Sequence, residues 1–138
     1  MCVFCEIVRG ETSAHVVFED TVSLAFLDVR PVFEGHTLLV PRDHHETLAD
    51  LPRDLVDPLF ANAQMLSRAV VDAMDAAGTF VAINNKVSQS VPHLHVHVVP
   101  RRPKDGLRGF FWPRRKYRGD EEMATVAASI RAAVGALA

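Results

Sequence analysis

Along most of the chain, apolar residues fall into short alternating or continuous runs separated by polar turns, the pattern of strands. HVVFED (residues 15–20) and SLAFLD (23–28) predict two strands flanking a turn at Glu19 to Thr21, and hence a hairpin. GHTLLVP (35–41) predicts a third strand, closed by Pro41 because proline has no N–H to donate to a ladder. From Arg53 to Ala76 the period changes. Leu55, Leu59, Ala63, Leu66, Val70 and Ala73 recur at the three-and-four spacing of one helix face, and Gly78 signals its end. TFVAIN (79–84) and HLHVHVV (93–99) then predict two more strands joined by the polar loop NKVSQSVP. CVFCEIV at the start predicts a short helix or turn, and Met123, Val126, Ile130, Ala133 and Leu137 mark a final amphipathic helix. Two neighbouring strand pairs are joined too tightly for crossover helices. The expected class is therefore α+β: a largely antiparallel five-stranded sheet packed with one long helix, a short N-terminal helix and a C-terminal helix.

Composition narrows the picture. At 138 residues, 49% hydrophobic and 23% charged, with no repeat or linker, one globular domain over 1–138 is expected. No apolar run approaches the roughly 18 residues that a membrane helix needs, and MCVFCEIVRGE lacks the basic region and apolar core of an export signal, so the expected location is cytoplasmic. There, two cysteines spaced C-x-x-C point to metal or redox chemistry rather than to a disulfide. A thioredoxin-like pair follows a strand and opens a long helix. Cys2 and Cys5 have no strand before them, and their spacing lets two thiolates from one turn reach one tetrahedral zinc at ~2.3 Å. The net charge of −2 conceals an asymmetry: residues 101–118 hold eight of the fifteen Lys and Arg against one acid, Asp105. That segment should favour anions.

Three of the seven histidines sit at alternate positions of HLHVHVV. On a strand, His93, His95 and His97 line one face while Leu94, Val96 and Val98 line the other. At ~3.3 Å per residue the outer two start ~13 Å apart, too far for one metal to take all three. They must have different jobs.

HLHVHVV fits the signature H-x-H-x-H-x-x, x being hydrophobic. With QSV before it, PR after it, and F-x-x-I, F-E-D, A-F-x-D and G-H-T-L-x-V-P upstream, the chain resembles the histidine triad (HIT) family of nucleotide hydrolases and transferases over roughly residues 2–101, in its zinc-containing bacterial Hint- and Fhit-like form. The resemblance implies a homodimer that cleaves a phosphoanhydride or phosphoramidate at the α-phosphorus of a purine nucleotide conjugate, such as a diadenosine polyphosphate or an adenosine phosphoramidate. By position His95 is the nucleophile, as a neutral imidazole can be near pH 7. His97 holds His95 in its reactive tautomer or contacts the phosphate. Gln89 and Ser90 donate to the phosphate and bridging atom, and His36 lines the same site. Asp28 accepts from the ribose hydroxyls, and Ile7, Phe26 and Val29 sandwich the base. The phosphate-contacting asparagine is Asn84 or Asn85, Asn84 matching slightly better.

The resemblance also completes the metal site. His93 and either His44 or His45 join Cys2 and Cys5 as a structural Cys2His2 zinc site, with His44 the better match. A closed four-ligand site leaves no room for substrate. The basic segment combines its cations with Phe110, Phe111, Trp112 and Tyr117; it is read as a solvated arm with an aromatic anchor, or as a contact to the leaving group. Nucleic-acid binding is disfavoured by the slightly acidic whole and the lack of an RNA-binding signature. The competing functional class is a zinc-stabilised nucleotide-binding module without useful turnover.

Overall fold

The computed structural model describes residues 1–108 and 113–137. They fall into two compact units, 1–105 and 106–138. Phe110, Phe111 and Trp112, the proposed aromatic anchor, lie outside the described residues.

The first unit contains helix α1 (Val3–Val8), strands β1 (Val16–Glu19), β2 (Ser23–Leu27) and β3 (Thr37–Pro41), the long helix α2 (Arg53–Met74), and strands β4 (Gly78–Ala82) and β5 (Val96–Arg101). The five strands form one sheet in the order β1-β2-β3-β5-β4, and every pairing is antiparallel. Alternation sorts the side chains onto two faces. Ala25, Leu39, Val96 and Val98 join Leu59, Ala63, Leu66 and Val70 of α2 in one buried cluster. Leu24, Phe26, Leu38 and Val40 meet Phe4 of α1 in a second cluster on the opposite face. α1 is held at its start by the Cys2 side chain, which accepts from the Cys5 N–H.

The end of α2 and the start of β5 differ most tellingly from the pattern of the sequence. α2 ends at Met74 because Asp75, not Gly78, takes the left-handed conformation (φ 50°) that stops a helix; Gly78 instead opens β4. In the last turn of α2, Met74 packs on the core and Ala73 is exposed. The ladder of β5 begins only at Val96, since the Leu94 N–H is taken by the carbonyl of His45 (2.7 Å) and the His93 N–H by that of Val91 (2.8 Å). His93 and His95 therefore lie on an extended lead-in to the strand.

The second unit contains α3 (Asp120–Leu137), the expected C-terminal helix, which has no buried residue among those described. Asp120, Glu121 and Glu122 occupy its first turn, where the helix dipole favours negative charge.

Candidate active site

The histidine row keeps its single face despite the late start of β5, and each ring meets a different partner. His95 is 3% exposed and packs edge-on against Phe4, with ring centroids 5.1 Å apart. Its Nδ1 lies 2.8 Å from the carbonyl oxygen of His93. A carbonyl can only accept, so Nδ1 carries the proton and Nε2 carries the lone pair. The partner that fixes this tautomer is therefore a backbone oxygen and not His97.

His97 lies next to His95, with centroids 4.9 Å apart, and its Nδ1 is 2.9 Å from Nε2 of His36. His36, itself 3% exposed, has its Nδ1 filled by the backbone N–H of Val32 (3.0 Å), and Asp28 Oδ2 stands 3.6 Å from its Nε2. Burial pushes the His36 ring below its ordinary pKa, the Asp28 carboxylate only partly opposing it. His97 is pushed down to about 4, first by burial and then by the neighbouring His95 and His36. Both rings are neutral at pH 7.

Asp28, His95 and His97 open onto a cleft of about 380 Å3. Ile7, Phe26, Asp28, Val29, Ser90, His95 and His97 all line it, so seven of the residues singled out in the sequence come together. Phe26 serves twice, as core and as wall, being 3% exposed and in edge contact with Phe4. Asn84, Gln89 and His36 are not among the lining residues; His36 touches the lining through His97. Gln89 uses its amide within the loop, accepting from the Lys86 N–H (2.9 Å) and donating to the Glu46 carbonyl (2.6 Å). Asn85 accepts from the Leu48 N–H (2.8 Å). Sequence reasoning missed the wall made by Thr12, Ser13 and Ala14, and missed Val32, whose contribution is a backbone N–H that no side-chain pattern reveals.

Behind the row, the ligand atoms of Cys2, Cys5, His44 and His93 lie within 4.8 Å of one another. The Cys2–His93, Cys5–His93 and Cys5–His44 sulfur–nitrogen distances are 3.4, 3.5 and 3.3 Å. A tetrahedral zinc with ordinary bond lengths spaces sulfur and nitrogen about 3.6 Å apart, so the cluster fits one ion after small adjustments. The tautomer fits as well: His93 Nε2 donates to the Pro41 carbonyl (2.9 Å), which leaves the Nδ1 lone pair facing the sulfurs. His45 stays outside this cluster.

Asp28, His36 and His97 form the other group of potential ligands among the described residues. They do not suit a metal. With Nδ1 of His36 occupied by an N–H, a neutral ring must carry its proton on Nε2, the atom that would have to bind.

Comparison with known proteins agrees with this picture. The HIT domain pattern matches residues 9–104. The chain is 34% identical over 108 residues to the adenylylsulfatase HINT3 of Arabidopsis thaliana, covering 77% of this chain and 55% of that protein, so it spans about half that relative's length. It is 32% identical over 117 residues to the adenosine 5'-monophosphoramidase HNT1 of Saccharomyces cerevisiae, covering 83% of this chain and 72% of the relative. A crystal structure of a Zn-bound histidine triad family protein from Mycobacterium smegmatis superposes with a TM-score of 0.73 at 36% identity, covering 96% of both chains. A domain match across most of the chain, related sequences and a shared fold lead to one conclusion: this chain belongs to the HIT family.

Proposed function

We propose that this protein is a nucleotide hydrolase or nucleotidyl transferase that cleaves purine nucleotide conjugates at the α-phosphorus through a covalent intermediate on His95. The observation that carries the reading is the His95 tautomer, with Nδ1–H held by the His93 carbonyl and the Nε2 lone pair left for the cleft. Asp28 receives the ribose hydroxyls, and Ile7, Phe26 and Val29 enclose the base. Nε2 forms a bond to phosphorus as the bond to the leaving group breaks with its electron pair. Ser90 and the His97 Nε2–H donate to the charge that develops on the transferring group, and water then splits the phosphorus–nitrogen bond to release the nucleotide. Gln89 and Asn84 belong to this account only if substrate draws them in. Gln89 would first have to give up its loop bonds.

Zinc held by Cys2, Cys5, His44 and His93 supplies structure and not chemistry, because all four positions are filled by protein. It ties α1 and the segment after β3 to the lead-in of β5 that carries His95. A cytoplasmic homodimer acting on diadenosine polyphosphates or adenosine phosphoramidates completes the reading, in keeping with the family resemblance. The test follows AMP release from diadenosine tetraphosphate and from adenosine 5′-phosphoramidate by wild type and by His95→Ala. Release by wild type alone supports the covalent route. Tight AMP binding with no release from either substrate would favour a binding module.

A further inference from the structure

The chain between β2 and β3 is knitted to itself. Asp28 N–H donates to the His36 carbonyl (2.9 Å), Arg30 N–H to Asp28 Oδ1 (2.8 Å) and His36 N–H to the Phe33 carbonyl (3.0 Å). In this frame, Val32 directs its N–H at His36 Nδ1 (3.0 Å) while the residue as a whole is 50% exposed. What the position contributes is therefore its backbone and not its packing. Pro31 precedes it, and the fixed φ of proline narrows the directions in which the following amide can point.

We propose that the Val32 backbone N–H is a tautomer lock that makes His97 a hydrogen-bond donor toward the cleft. A backbone amide keeps its proton at all relevant pH, so Nδ1 of His36 has to present a lone pair to it. The proton of the neutral His36 ring then sits on Nε2 and is donated to His97 Nδ1, 2.9 Å away. His97 in turn carries its own proton on Nε2. Without the lock, His36 is free to hold its proton on Nδ1 and accept at Nε2 from His97, which reverses the chain and leaves a bare lone pair on His97 Nε2. That lone pair would repel a phosphate oxygen where a donor is needed. The kinetic part of this inference rests on the function proposed above; the tautomer part does not.

The experiment uses full-length, zinc-loaded protein labelled with 15N at histidine, and long-range proton–nitrogen spectra at neutral pH. His36 and His97 should both show protonated Nε2 and bare Nδ1; a His36 protonated on Nδ1 overturns the proposal. Replacing Val32 by its α-hydroxy acid turns the amide into an ester of nearly the same shape, which puts an oxygen without a proton in place of the N–H and keeps the side chain. This variant should give mixed His36 tautomers and about tenfold lower kcat on an AMP conjugate with KM within about twofold, the scale of one lost hydrogen bond felt in the transition state. Val32→Ala keeps the amide proton and should keep the wild-type tautomer. An ester variant with an unchanged His36 tautomer also overturns the lock. Expected tautomers in a protein that releases no AMP would instead refute the functional reading and leave the lock standing.

Discussion

His97 and His36 are imidazoles kept neutral by burial, and this sets a pH dependence. The unfolded chain takes up a proton on each near pH 6.5, whereas folded His97 resists to about 4 and folded His36 is shifted in the same direction. Between those limits the unfolded state binds more protons on these two rings, so their contribution to stability should be constant above about pH 6.5 and fall as pH drops toward about 4. For His97 alone the loss is on the order of 3 kcal/mol. Urea midpoints at pH 7, 6 and 5 should decline in wild type and decline less in His97→Asn; an equal slope in the variant would place the acid sensitivity elsewhere. Gly35 poses a purely steric case. Its φ is +93°, and a β-carbon there would lie 2.6 Å from Met74 Cγ. Gly35→Ala should cost roughly 1–3 kcal/mol in thermal unfolding, and adding Met74→Ala should recover only the part due to the clash. At this scale the histidine row, Asp28 and the cysteine pair were legible because their side chains carry the chemistry. The carbonyls of His93 and Pro41 and the N–H of Val32 were not, since every residue type offers the same backbone groups.

The elements themselves follow hydrophobic period. α2 and all five strands appear where three-and-four spacing or alternation predicts them, because each must bury one stripe or one face. Leu59 is fully buried at the centre of the α2 stripe, and Leu59→Ala should cost about 3 kcal/mol by chemical denaturation. Ends are less legible. The lead-in to β5 alternates like a strand, yet its N–H groups are claimed by His45 and Val91, a long-range competition that no local pattern records. The loop before it is another such case. Gln89 and Asn85 and the Lys86–Glu46 ion pair fasten residues 85–89 to 46–48, while Lys86 and Ser88 are held at positive φ. Gln89→Ala should lower stability by about 1–2 kcal/mol even without substrate, measured by thermal melting. An unchanged midpoint would free the amide for a role at the phosphate.

For the molecule as a whole, the unit 1–105 contains every lining residue of the cleft and every residue of the cysteine–histidine cluster. A chain ending at Asp105 should therefore still bind AMP and about one zinc, by calorimetry and metal analysis. Stripping zinc with a chelator should lower the melting temperature of wild type, because metal-binding energy at such a site is folding energy. Cys2→Ser/Cys5→Ser should already sit at the lower value and respond no further. The α3 stripe presents a different question, since Met123, Ile130 and Leu137 are 49 to 89% exposed. Its helical period was legible in the sequence, but period states which face is apolar and not what covers it.

One feature reaches beyond this fold. His93, His95 and His97 are chemically the same side chain, yet one offers Nδ1 to sulfur, one keeps Nε2 bare and one takes its proton pattern from a neighbour, according to whether the atom behind it is the Pro41 carbonyl, the His93 carbonyl or His36. Much of the information that distinguishes them is stored outside the motif, in the Pro41 carbonyl, in His36 and in the Val32 N–H behind it. A designer who transplanted HLHVHVV onto another sheet would bring along the His93 carbonyl that serves His95, but to reproduce the division of labour would also have to carry over His36 and two backbone groups, the Pro41 carbonyl and the Val32 amide, that have no letters of their own.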